Sequence, residues 1–183
     1  MNKKAIIGFS LIPDFIIIDQ ITKWFILDHV FRPELGLPSL GIIEWFKETE
    51  RLPYLSLDIT SYFNLTMVWN QGVSFGMFQN DNPWPLTIVA VIISAIFSVW
   101  LYKSKSWVEV ISLSLIIGGA LGNVIDRLHY DAVADFFDFY VGNWHFPAFN
   151  LADSFISVGI FVLIIHSLFF AKDNEQDNKK ETK

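Results

Sequence analysis

The chain contains no cysteine, which excludes disulfides, thiolate metal ligands and a lipidated thiol on this protein itself. It also lacks an excess of positive charge: 13 Lys and Arg stand against 19 Asp and Glu, a formal net charge of −6. Binding a polyanion takes a basic stripe, so nucleic acid is set aside. Internal repeats are missing too. What the sequence has is apolar mass, with 52% hydrophobic residues, 18 Phe and 7 Trp in 183 residues. One soluble domain of this size is rarely so greasy, and the composition points to a membrane protein.

Four stretches, 5–27, 84–102, 107–125 and 151–171, are long enough to cross a hydrocarbon layer of roughly 30 Å, which takes about 20 apolar residues. The second and third are joined only by Lys103-Ser104-Lys105-Ser106, so they form an antiparallel hairpin with a basic turn. Lys3 and Lys4 precede the first span, and Lys172, Lys179, Lys180 and Lys183 follow the fourth. An even number of crossings collects all these lysines on one side, the cytoplasmic one by the positive-inside rule. Both chain ends then lie inside. The first span begins like a signal peptide, but its apolar run outlasts the usual length and no small-residue cleavage site follows, so it is read as a mature helix.

The expected fold is mainly α and integral to the membrane: a four-transmembrane-helix bundle with a small extracytoplasmic β-sheet, all within one domain over 1–171. Segments 28–83 and 126–150 lie outside. The first is too long for a mere turn. Within it the run 62–69, rich in aromatic and β-branched residues, predicts a strand before an Asn70-Gln71-Gly72 turn. The polar, aperiodic segment 172–183 is expected to be a disordered cytoplasmic tail.

This topology gathers carboxylates at one interface. The third span ends near Asp126 and the fourth begins after Asn150, so Asp126, Asp135 and Asp153 all reach the outer boundary, with Asp19 in the outer half of the first span. Ionised groups at a bilayer edge are costly and mark pathways, partners or active sites. Asp126 stands beside Arg127 and one helical turn from Asn123, surroundings that tie it down as a structural group. Asp135 lies in Val133-Ala134-Asp135-Phe136-Phe137, where desolvation raises a carboxyl pKa. If Asp135 and Asp153 meet, their repulsion makes them share one proton. One then activates water and the other protonates a carbonyl, with no metal or cofactor required.

Each residue also has a plainer role. Asp153 stands at the third position of a helix capped by Asn150, where negative charge complements the dipole. Asp135 reads equally as an interfacial loop acid like Asp138, which is expected to be solvated. Asp19 and Lys23, four apart, make an ion pair on one helix face. The aromatics Phe136, Phe137, Phe139, Tyr140 and Trp144 read as an interfacial belt. Gly72-Val73-Ser74-Phe75-Gly76 fits the serine-hydrolase pattern, but nothing around it supplies the strand-turn-helix elbow or a positioned histidine. His29, His129, His145 and His166 lack the helical spacing of a zinc pair.

The runs Asp19-Gln20-Ile21-Thr22-Lys23, Asn70-Gln71-Gly72-Val73-Ser74-Phe75, Gly122-Asn123-Val124-Ile125-Asp126-Arg127, Val133-Ala134-Asp135-Phe136 and Phe149-Asn150-Leu151-Ala152-Asp153 resemble, in order, the motifs of bacterial lipoprotein signal peptidase, the signal peptidase II family. The resemblance covers all four spans. It implies an aspartic endopeptidase of the bacterial inner membrane that removes signal peptides from diacylglyceryl-modified prolipoproteins, cutting before the lipidated cysteine. By the family pattern Asp135 and Asp153 are the catalytic dyad, at the outer leaflet. Asp19, Lys23, Asn70, Asn123, Asp126, Arg127 and Asn150 shape the polar site and bind substrate, while the outer sheet and surface loop clamp it. The resemblance also implies that the cyclic peptide globomycin blocks the site.

The chain departs from the pattern at Asp131, where a glycine is usual, at Ala134, which replaces a common valine, and in a longer segment 32–57. Asp14, after Pro13 in mid-span, belongs to no motif. Two rival classes remain at this point: a proton-coupled transporter or channel subunit, since intramembrane acids also relay protons, and a non-catalytic assembly factor whose acids stabilise helix packing. The clustering of acids at one face speaks against the transporter.

Overall fold

A computed structural model describes residues 2–72 and 82–181, with side chains described to residue 169 in the final helix. Helix α1 (Lys3–Trp24) is capped by Asn2, whose side chain accepts from the Ala5 N–H. It runs on through a π-helical turn (Phe25–Phe31) into α2 (Arg32–Glu34), so the first helical run is longer than the 5–27 expected. A short α3 (Ile42–Trp45) follows. The hairpin pair is α4 (Trp84–Lys103) and α5 (Trp107–Tyr130), the latter extending five residues past the expected end at 125. The last helix is α6 (Leu151–Glu181). Among the described residues, four helical stretches have the length and hydropathy to cross a membrane.

Helix α5 is the axis of the bundle. Its face buries Val110, Leu113, Ile116 and Ile117 against Ile12 of α1, Leu101 of α4 and Leu163 of α6. Gly122 lets α1 approach: a Cβ there would sit 2.6 Å from Asp19 Oδ2. The outward faces, such as Ile88, Ile92 and Ile96 on α4, are apolar and exposed, as lipid-facing surfaces require.

At one end of the bundle lies an antiparallel sheet of order β1-β2-β3-β4: β1 (Ser56–Thr60), β2 (Phe63–Asn70), β3 (Val133–Val141) and β4 (Trp144–His145). The expected strand over 62–69 corresponds to β2. Strand β3 was not foreseen, because its residues read as an aromatic belt. Phe136 is instead fully buried, in a second core with Leu27, Phe31, Leu65 and Met67. Asp138 is also not solvated: it is buried, accepting from Thr66 Oγ1 at 2.9 Å and from His145 Nδ1 at 2.8 Å. Ser74, and with it the serine-hydrolase pattern, lies outside the described residues. So does the tail from 172, as far as its side chains are concerned.

Candidate active site

The chain turns from α5 to β3 through Asp131, which takes a left-handed conformation (φ 54°) at the helix C-cap. A glycine adopts this conformation at no steric cost; aspartate is one of the few other residues that tolerate it, so the departure from the family pattern keeps the turn. Asp126 Oδ2 then accepts from the Ala134 N–H at 3.1 Å, pinning the start of β3 to the helix. In the β2–β3 register Val133 lies opposite Asn70 and Asp135 opposite Val68, so Asn70 and Asp135 are diagonal neighbours on one sheet face. Asn70 Oδ1 accepts from the Gly72 N–H at 3.2 Å, and its Nδ2 donates to Asp135 Oδ2 at 3.0 Å.

Asp153 arrives on α6. Asn150 caps that helix, its Oδ1 accepting from the Asp153 N–H at 3.0 Å, while Asp153 Oδ2 accepts from the Asn150 N–H at 3.1 Å. This is a reciprocal capping box. The capping role and the site role therefore coexist in one residue. Asn150 Nδ2 also donates to Asp135 Oδ1 at 2.8 Å and to Asn123 Oδ1 at 3.0 Å, and Asn123 Nδ2 donates to Asp153 Oδ1 at 2.8 Å. Three asparagines thus hold the two carboxylates. Both acids line one cavity of ≈ 560 Å³ with Asn70, Phe149, Ser154 and Ser157.

No cation pairs directly with either carboxylate among the described residues. Burial pushes the Asp135 carboxyl up to about 7, with the charge of Asp153 adding to the rise; Asn70, Lys23 and Asn150 pull the other way and lose. A buried acid facing a second acid across amide donors holds a proton near neutral pH, which equips the pair for general acid and base work.

The remaining expected residues form an adjacent ionic cluster. Lys23 Nζ lies 2.8 Å from Asp19 Oδ2 and 2.7 Å from Asp126 Oδ2, with all three side chains essentially inaccessible. The Asp19–Lys23 pair was anticipated. Asp126, however, is held by Lys23 rather than by neighbouring Arg127, which donates to the Asn123 carbonyl at 3.3 Å. Gln20 was missed: its Nε2 donates to Asp126 Oδ1 at 2.9 Å and to Asp19 Oδ2 at 3.2 Å. The available signal was an amide beside Asp19, one helical turn from Lys23, in an otherwise apolar span. Among the described residues no group of three or more His, Asp or Glu is placed to hold a metal ion.

Four membrane-length helices and a sheet that together bring two amide-bridged carboxylates to an open cavity define the class: a multi-pass membrane protein equipped for acid–base chemistry. A model of the signal peptidase (SPase) II family matches residues 11–169. The chain belongs to that family, and is therefore a bacterial membrane protease. Among similar proteins is a lipoprotein signal peptidase of Shewanella sp. (strain MR-4), 44% identical over 133 residues, or 70% of this chain and 78% of that one. Another, from Anaplasma phagocytophilum (strain HZ), is 48% identical over 116 residues, 61% of this chain and 74% of its own. A solved bacterial membrane enzyme structure, obtained by the in meso method, aligns with TM-score 0.64 and 26% identity, covering 88% of this chain and 87% of its own. The transporter alternative finds no support in these relatives.

Proposed function

We propose that Asp135 and Asp153 are the catalytic dyad with which this signal peptidase II removes signal peptides from prolipoproteins, cutting before the diacylglyceryl-modified cysteine. At neutral pH and below, Asp135 carries the shared proton. Asp153 takes a proton from a water held between the carboxyls as that water attacks the scissile carbonyl carbon, and Asp135 gives its proton to the carbonyl oxygen. As the tetrahedral gem-diol collapses, Asp153 passes its proton to the leaving nitrogen, Asp135 takes back a proton from a gem-diol hydroxyl as the C=O re-forms, the C–N bond breaks, and the pair is reset. Asn70, Asn123 and Asn150 orient the acids, while Asp19, Lys23, Asp126 and Arg127 keep the helices in register.

The observation that carries this reading is Asn150, which joins the two carboxylates at the wall of one cavity, its side-chain Nδ2 donating to Asp135 and its backbone N–H to Asp153. With the lysines Lys3, Lys4, Lys103 and Lys105 at the opposite end of the bundle from the sheet, the positive-inside rule puts both termini in the cytoplasm and the dyad at the outer leaflet. There the acyl chains of a lipidated substrate stay in the bilayer while its peptide meets the cavity. Purified protein in detergent, given a diacylglyceryl-modified prolipoprotein peptide, is expected to release a fragment ending just before the modified cysteine, as read by mass spectrometry. Globomycin is expected to stop the reaction. Cleavage elsewhere, or none, contradicts the proposal.

A further inference from the structure

Several hydroxyls within the spans turn back on their own helices: Ser98, Ser114 and Ser154 each donate to the carbonyl four residues earlier, at 2.7, 2.7 and 3.1 Å. Such a bond satisfies a hydroxyl where water is scarce. Ser157 differs. It is exposed, lines the cavity one helical turn beyond Asp153, and has no hydrogen-bond partner among the described residues. The other donor side chains of the cavity wall are already engaged, Asn70 with Asp135 and Ser154 with the Asn150 carbonyl. A hydroxyl left over in a membrane span costs free energy until an acceptor reaches it, and the cavity it faces admits one.

The acceptor is identified by the order of chemistry along α6. This helix runs from the sheet end toward the α4–α5 turn, where His166 meets Ser106, so four residues past Asp153 carry Ser157 about 6 Å further into the membrane. A further turn brings Phe161, 65% exposed, beside Val158, which is also exposed. The stripe therefore reads carboxylate, hydroxyl, hydrocarbon. The lipidated cysteine of the substrate proposed above, a reading on which this inference rests, has the matching order. Its scissile amide comes first; then, across Cα, Cβ, the thioether sulfur and the glyceryl carbons, an ester carbonyl; then the acyl chains. That bridge of single bonds spans a helical turn. An ester carbonyl accepts a hydrogen bond and donates none, and Ser157 has one to give.

We propose that the Ser157 hydroxyl donates to an ester carbonyl of the substrate's diacylglyceryl group and so sets the depth at which the lipidated cysteine sits beside the dyad. The test compares two prolipoprotein peptides cleaved by the full chain in detergent free of phospholipid, where the substrate supplies the only glyceryl ester. One is diacylglyceryl-modified; the other is its dialkylglyceryl ether, which keeps both chains and lacks the carbonyls. The parent chain is expected to show a KM about three- to tenfold higher for the ether, the worth of one neutral hydrogen bond. Ser157→Ala is expected to raise KM for the ester by the same about three- to tenfold, to leave KM for the ether within about twofold, and to change kcat less than about twofold, the signature of lost binding rather than lost chemistry. Ser157→Thr, which restores a hydroxyl, is expected to bring the ester KM back to within about twofold of the parent value. If the parent cuts the ester peptide but Ser157→Ala does not raise its KM, or raises the ether KM equally, this inference is overturned and the dyad stands. A parent that cuts neither peptide overturns the catalytic reading and this inference with it.

Discussion

The two acidic centres of this bundle are linked through the single side chain of Asn123, which accepts from Lys23 Nζ at 3.2 Å on one side and donates to Asp153 on the other. They are built from the same residue type in the same protein, with Asp19, Asp126 and Asp135 buried and Asp153 half-buried. In the first, an ammonium group sits between Asp19 and Asp126, and the Gln20 amide takes up spare lone pairs of both. In the second, Asp135 and Asp153 receive only neutral amides and backbone N–H groups. Charge is compensated in one and left to a proton in the other. The location of Lys23, the one buried lysine among the described residues, more than the positions of the aspartates, separates the acids held in ion pairs from those proposed for chemistry.

Breaking the second centre has the largest expected effect. Asp135→Asn and Asp153→Asn are each expected to lower the single-turnover cleavage rate at least about 10³-fold, within the range for loss of a general acid or base, with the detergent-solubilised fold intact by circular dichroism. If Asp126→Asn is folded but dead while Asp135→Asn still cuts, the two centres have been assigned the wrong way round.

Breaking the first centre acts on stability instead. Lys23→Met strands two buried carboxylates, and losing one member of a buried ionic group costs about 3–5 kcal/mol. A large drop in the midpoint of thermal unfolding in detergent is expected. An unchanged midpoint means that the cluster does not hold the helices.

The contrast also has a pH signature. Asp135 is raised from 3.8 to about 7, so between those values the folded state binds more protons than the unfolded one. Stability therefore falls as pH rises through this window, by up to about 4 kcal/mol for a shift of this size. Asp135→Asn is expected to flatten the slope between pH 4 and 7, as measured by chemical unfolding in detergent at several pH values. A slope equal to that of the parent locates the linked proton elsewhere.

The smallest effect lies at the turn that delivers β3. Asp131→Gly relieves the left-handed strain of a side-chain-bearing residue but loosens the unfolded chain, so a net change within about 1 kcal/mol is expected, with cleavage preserved. A larger loss would give the Asp131 side chain a role beyond its conformation.

How much of this was legible in the sequence follows the reach of each interaction. The four spans, the β2 strand and the Asp19–Lys23 pair rest on local spacing and were readable. Topology put Asp126, Asp135 and Asp153 at one interface, since consecutive spans return to the same side, and left open which two meet. What stayed hidden depends on partners far along the chain. Asp138 read as solvated because its partner Thr66 is 72 residues away. Asp126 reads as tied to its sequence neighbour Arg127, although its cation, Lys23, lies on another helix. Strand β3 is buried on both faces over Val133, Ala134, Asp135 and Phe136, so it lacks the alternation that announces a strand.

The most direct test of a proton shared by Asp135 and Asp153 is the pH profile of kcat/KM for cleavage of a lipidated peptide. A bell is expected, with its falling limb near pH 7 as the pair loses its proton, because only the singly protonated dyad offers both an acid and a base. A rate that stays flat from about pH 5 to about pH 9 contradicts the account.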